Sequence, residues 1–120
     1  VTPRHVEVRN RTRDGALLGD RIRVADRWWP RLRGLLGHPA PREGEGLLLT
    51  PCRGVHMMGM RYALDVVLAD AGGRVLACFQ ELAPGRTTGM LRGARHALEI
   101  PVGTIGRTGT VPGDELTWTP

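Results

Sequence analysis

The stretch Leu64-Asp65-Val66-Val67-Leu68-Ala69-Asp70-Ala71-Gly72-Gly73-Arg74-Val75-Leu76-Ala77-Cys78-Phe79 decides the fold class. Two apolar runs rich in strand-forming residues flank Asp70-Ala71-Gly72-Gly73, which is turn chemistry, so the segment reads as a β-hairpin. A second hairpin spans residues 4–24. There Val6 and Val8 alternate with His5, Glu7 and Arg9, and Leu18, Ile22 and Val24 answer them beyond the Asp14-Gly15 turn. Shorter strands are expected at 46–50, at 55–60 (interrupted by Gly59), at 97–100 before Pro101, and at 115–118 after the Pro112-Gly113-Asp114 turn. Between the first hairpin and these strands, Trp28, Leu32, Leu35 and Leu36 make one helical stripe, with Gly37 and Pro39 as stop signals. The pattern predicts one α+β domain over residues 1–120. It is mainly antiparallel, a small barrel- or sandwich-like sheet with one short helix near residues 27–37.

Composition narrows the chemistry. The chain contains no Lys and no Ser, which removes a Walker-type phosphate loop, Schiff-base catalysis and a serine nucleophile. All 17 basic residues other than His are Arg, which stays charged and cannot serve as a tuned base. Eleven of the arginines face six acids in residues 1–53, whereas six face six in residues 54–120, so the net charge of +5 resides in the first half. Period two places Arg9, Arg11 and Arg13 on one side of the first hairpin with Arg21 and Arg23 beside them, predicting a basic face. Nucleic acid is not the expected occupant, because no aromatics interleave and no recognised motif is present. No apolar run is long enough for a membrane helix. The expected compartment is cytoplasmic, or external if a signal peptide preceded Val1. Cys52 and Cys78 read as reduced thiols in apolar surroundings, with a single bridge possible in an exported protein.

From residue 34 the order of features resembles a known family. It runs through Gly34-Leu35-Leu36-Gly37, Leu47-Leu48-Leu49-Thr50-Pro51-Cys52, Val55-His56-Met57-Met58-Gly59-Met60-Arg61-Tyr62, Leu64-Asp65-Val66-Val67, Leu98-Glu99-Ile100-Pro101-Val102-Gly103 and Pro112-Gly113-Asp114-Glu115-Leu116. Over residues 34–118 this is similar to the bacterial and archaeal family catalogued as domain of unknown function 192. His56, Gly59, Met60, Arg61, Asp65 and Val66 match its core motif, while Met57, Met58 and Ala63 depart from it. The resemblance implies a compact β-rich domain with no accepted reaction. Some members are exported, and some resemble neighbours of pilus-assembly genes, a hint toward the cell envelope.

Chemically versatile residues concentrate between Cys52 and Asp65. The leading expectation is a module that binds a small molecule or a protein partner through a polar pocket. His56, Arg61 and Asp65 would form the pocket, with Met60, Arg53 and Arg86 as further ligand-binding candidates and Arg61 or Arg53 placed to hold an anionic group. Arg86 belongs to the Gly- and Arg-containing loop at 84–93, where ligand contacts are common. A second possibility is a hydrolase or lyase in which His56 moves protons and Asp65 or Glu99 orients it. A structural ion pair between Arg61 and Asp65 competes with both, and alternation turns Glu99 toward solvent. Cys52, His56 and Met58 form a soft donor set suited to copper, against the alternative that methionines fill a core.

Overall fold

The computed structural model describes residues 4–26 and 37–120. The alternating segments become seven strands: β1 (His5–Asn10), β2 (Ala16–Ala25), β3 (Glu45–Leu49), β4 (Leu64–Ala69), β5 (Val75–Leu82), β6 (His96–Ile100) and β7 (Leu116–Thr119). They form one sheet in the order β5-β4-β6-β3-β2-β1-β7. The sheet curls into a half-barrel whose two edge strands meet at one end. There Leu116 N donates to Gly73 O and Val75 N to Asp114 O, both at 2.8 Å. Gly73 permits the approach, because a Cβ at its φ of +90° would stand 2.5 Å from Leu116 O. One pairing departs from the antiparallel expectation. β2 and β3 run parallel, from Arg21 opposite Glu45 to Ala25 opposite Leu49, so the sheet is mixed. The long connection between them is a crossover rather than a hairpin, which only a parallel pair requires.

Both faces of the central strands are covered, and β4 is buried along its entire length. The concave face packs Val8, Leu18, Ile22, Leu48, Val67, Leu98 and Ile100 into the barrel interior. The convex face packs Leu47, Leu49, Leu64, Val66, Leu68 and Ala97 beneath Met57 and the loops around it. This double burial explains why residues 64–69 read as a continuous apolar run instead of an alternating one. Cys78 lies against the first cluster and Cys52 against the second, on opposite faces of the sheet, so they cannot form a bridge with each other. Burial pushes the Cys78 thiol up to about 11, which keeps it protonated.

The helix predicted near residues 27–37 falls on residues 27–36, outside the described part of the chain. A different short helix, α1 (Thr104–Thr108), is present where the sequence gives no helical signal. Its Gly and Thr content disfavours helix, so tertiary contacts hold it. Asp65 supplies them from β4. Its Oδ2 accepts hydrogen bonds from Gly103 N at 3.1 Å and Ile105 N at 2.9 Å, and its Oδ1 from Glu81 N at 2.9 Å. Glu81 has a φ of 53° and belongs to an irregularity in β5 where the register shifts opposite Asp65. Asp65 is fully buried, and its charge is balanced by these N–H dipoles instead of by Arg61, which is exposed. The Arg61–Asp65 ion pair considered from sequence is therefore not formed.

The predicted basic face is also altered. Arg11 and Arg13 leave the strand in a 3₁₀ turn, Arg11–Arg13. Arg13 Nε donates to Asp114 at 2.9 Å, and Arg11 pairs with Glu115. Arg4, Arg9 and Arg21 pair with Asp26, Glu7 and Asp20. Much of the positive charge counted in the first hairpin is neutralised locally. The Arg13 guanidinium, with Asn10 and the Val111 amide, holds the Asp114 carboxyl below its ordinary range. Among the described residues no helix is long and apolar enough to cross a membrane.

Replacing Asp65 by Ala leaves three N–H groups without their acceptor, that of Ile105 buried and those of Glu81 and Gly103 part-buried. The expected loss is about 3 kcal/mol of unfolding free energy in urea titrations, with early amide exchange at Gly103 and Ile105. A variant as stable as the parent would show that α1 is held by other contacts.

Candidate functional site

The convex face is covered by a layer built from residues 50–63 and 83–95, joined by a ribbon of backbone hydrogen bonds. Met57 N donates to Arg86 O at 2.7 Å and Gly85 N to Met57 O at 2.9 Å. Thr88 N donates to Val55 O at 3.0 Å and Leu91 N to Arg53 O at 2.9 Å. His56 and Thr87 form a single antiparallel bridge between them. Gly54 allows the two segments to close up, since a Cβ there would stand 2.0 Å from Gly89 O. Met57 is the anchor: its side chain is fully buried in the convex cluster, burial worth about 2 kcal/mol. The strand predicted at 55–60 is thus a loop pinned by one residue, and its side chains do not alternate as a strand's would.

This geometry separates the candidate residues. His56, Arg53, Arg61 and Arg86 are exposed on the outer side of the layer, and Met60 packs partly beneath it. Asp65 points to the opposite face of the sheet, with Val67 and toward α1. His56 and Asp65 are therefore not in one pocket. The soft donors also diverge. Met58 is 72% exposed, whereas Cys52 packs inward and its Sγ donates to Gly54 O at 3.1 Å. No group of three or more His, Cys, Asp or Glu suited to a metal ion occurs among the described residues.

The layer is distinctive in charge. Segments 50–63 and 83–95 together hold Arg53, Arg61, Arg86, Arg92, Arg95 and His56, and no acid. None of these arginines forms an ion pair among the described residues. Dividing the chain into halves hid this, because the acids of residues 54–120 all lie outside the two segments. Met58 and Met90, 72% and 74% exposed, stand on the same layer.

Glu99 lies under the layer. Alternation in β6 does turn it away from Leu98 and Ile100, but that side is covered, leaving it 5% exposed instead of solvated. Its strand neighbours are Leu47 on β3 and Val66 on β4, both fully buried. Its Oε1 is buried with no hydrogen-bond partner among the described residues, which costs about 1–3 kcal/mol in a folded protein. Burial pushes the carboxyl up to about 7. Tyr62 is close enough that burial and the Glu99 charge together raise its phenol. The Tyr62 hydroxyl donates to His38 O at 3.0 Å.

Because the folded-state value exceeds the ordinary 4.5, Glu99 binds its proton more tightly in the folded protein. Its contribution to stability is full below pH 4.5 and is lost as the pH rises toward about 7. Glu99→Gln should remove this dependence and be the more stable protein at pH 8, on the order of 2 kcal/mol. Urea midpoints at pH 5 and pH 8 measure it, and parallel pH profiles for the two proteins would contradict it.

Comparison with known proteins agrees with the fold and adds no activity. The chain is 28% identical over 113 residues to a UPF0127 protein of Thermococcus sibiricus, covering 91% of this chain and 72% of that one. A solved protein of Sinorhizobium meliloti 1021, described as a candidate transcription regulator, superposes with a TM-score of 0.80 at 22% identity, covering 98% of this chain and 96% of its own. A protein of unknown function from Novosphingobium aromaticivorans DSM 12444 gives 0.77 at 20% identity, with coverage of 95% and 84%. At these identities the structural likeness establishes the fold alone. The sequence profile of the DUF192 family, described as "Uncharacterized ACR", matches residues 9–118, and the chain belongs to that family.

Proposed function

We propose that the protein is a partner-binding module whose docking face is the outer side of the convex loop layer, and that the partner presents an acidic protein segment. The observation that carries this reading is the acid-free layer: five arginines without ion pairs among the described residues, His56, and two exposed methionines on one surface. Arg and Met are enriched in protein interfaces, whereas Lys, Glu, Asp and Ser are depleted there. Unpaired guanidinium groups give bidentate recognition of carboxylates, and flexible thioethers adapt to an apolar side chain set among them. The backbone ribbon and buried Met57 hold the face in one shape before contact, which limits the ordering cost of binding.

The description of the Sinorhizobium protein as a candidate regulator raises nucleic acid as an alternative occupant. The layer offers poor support for it. Tyr62, its one aromatic residue, is half-buried with its hydroxyl bonded to the chain, and the exposed apolar groups are methionines.

The test is fluorescence anisotropy with two labelled probes, a peptide of alternating Asp and Glu flanked by Leu, and a random DNA duplex. The peptide should bind, weaken as salt is raised, and lose about tenfold or more in affinity on combined Arg53→Glu and Arg86→Glu substitution. Met58→Ala with Met90→Ala should weaken it at unchanged salt dependence. Equal peptide binding by parent and charge-reversed protein would overturn the reading. Preference for the duplex would replace the partner with nucleic acid.

A further inference from the structure

A cavity of about 270 Å³ opens where β2, the start of β3 and α1 meet, and none of its lining residues belongs to the docking face. Four of them are charged, two of each sign: Asp20 and Arg21 on β2, Glu43 just before β3, and Arg107 in the last turn of α1. Asp20 and Arg21 neutralise each other, with Arg21 Nη1 3.2 Å from Asp20 Oδ1. Arg21 is also fixed to the opposite segment. Its Nη2 donates to Glu43 O at 2.9 Å and its backbone N–H to Gly44 O at 2.8 Å. Gly44 leaves room in this corner, because a Cβ at its φ of +88° would stand 2.6 Å from Asp20 Oδ1. The other two charges differ. Glu43 and Arg107 stand on separate elements, both are exposed, and neither forms an ion pair among the described residues. Leu17 and Leu18 give the same cavity an apolar stretch.

We infer that this cavity binds a small zwitterion, an α-amino acid with a short apolar side chain. Arg107 takes the ligand carboxylate through its forked N–H donors, and the Glu43 carboxylate takes the ammonium group. The ligand side chain lies against Leu17 and Leu18. The charge balance selects this class. With two acids and two arginines the cavity is formally neutral, so a ligand of zero net charge enters unopposed. An anion alone would gain Arg107 but face the carboxylates of Asp20 and Glu43. A cation alone would gain Glu43 but face two guanidinium groups. A zwitterion partners both unpaired groups at once. Size points the same way, since about 270 Å³ lies just under the roughly 300 Å³ at which ligand pockets usually begin, and so suits one amino acid better than a nucleotide or a peptide. The Arg21 contacts hold the frame before binding, which limits its ordering cost. Because the charges face solvent, each contact is weak and sensitive to salt.

The experiment is an NMR titration of the full chain with L-leucine, following the amides of Leu18, Gly19, Gly44 and Arg107. Two relatives of the probe each lack one charge: leucinamide has no carboxylate and 4-methylpentanoate has no ammonium. Leucine should shift these amides saturably, and each relative should bind about fivefold more weakly or worse. Arg107→Gln and Glu43→Gln change exposed side chains, so both variants should keep the parent's urea midpoint. Arg107→Gln should weaken leucine about fivefold and abolish its advantage over leucinamide. Glu43→Gln should do the same for its advantage over 4-methylpentanoate. A merely structural role for either residue would not produce this crossed pattern. Binding of either relative as tightly as leucine to the parent would overturn the assignment, as would the absence of a saturable shift. None of the followed amides lies in the docking layer, so this reading and the peptide reading can fail separately.

Discussion

Three hydrogen bonds to one carboxylate organise this fold. Asp65 stands in a fully buried strand and joins the irregular stretch of β5 at Glu81 to the entrance of α1 at Gly103 and Ile105. Without that acceptor, α1 has little reason to be helical, because Gly and Thr dominate its sequence. Ile105 would then lose its place in the concave core. A charge at the centre of a small domain is unfavourable unless dipoles surround it, and the three N–H groups meet that condition without a counter-ion.

The same residue explains why the surface is arranged as it is. Because Asp65 faces the concave side, the polar groups of the convex loops are not part of its network, and His56 and the layer arginines remain available to solvent. The two faces of the sheet thus have separate tasks. The concave side holds the closed core and its Asn10–Asp114–Thr110 polar network. The convex side carries a thin layer fixed by Met57, with cations outside and Glu99 beneath.

The strands were largely legible in the sequence, because alternation and turn chemistry act locally. The β4–β5 hairpin falls where residues 64–79 place it, and Asp70 accepts from Gly72 N and Arg74 N as its turn requires. What was not legible depends on contacts between distant residues. The parallel β2–β3 pair leaves no local mark on either strand. α1 exists through Asp65, about 40 positions upstream. Glu99 read as solvated because alternation identifies the face of a strand but not what lies over it. The candidates at 52–65 were gathered by proximity in sequence, and the sheet then divided them, with Asp65 inside and His56 outside.

The closure of the sheet has a consequence for how the chain emerges from the ribosome. β7 supplies the partner for the free edge of β1 and, through Gly73 and Val75, for the start of β5. Asp114 adds the bonds to Asn10 and Arg13. Until residues 113–119 have been synthesised, nascent β1 presents unpaired N–H and C=O groups along one side, and the interior is open at the end where Leu116 belongs. Such an edge can pair with another chain. β7 is therefore a lid on a sheet otherwise paired, and the exposed edge of β1 persists until β7 has been made.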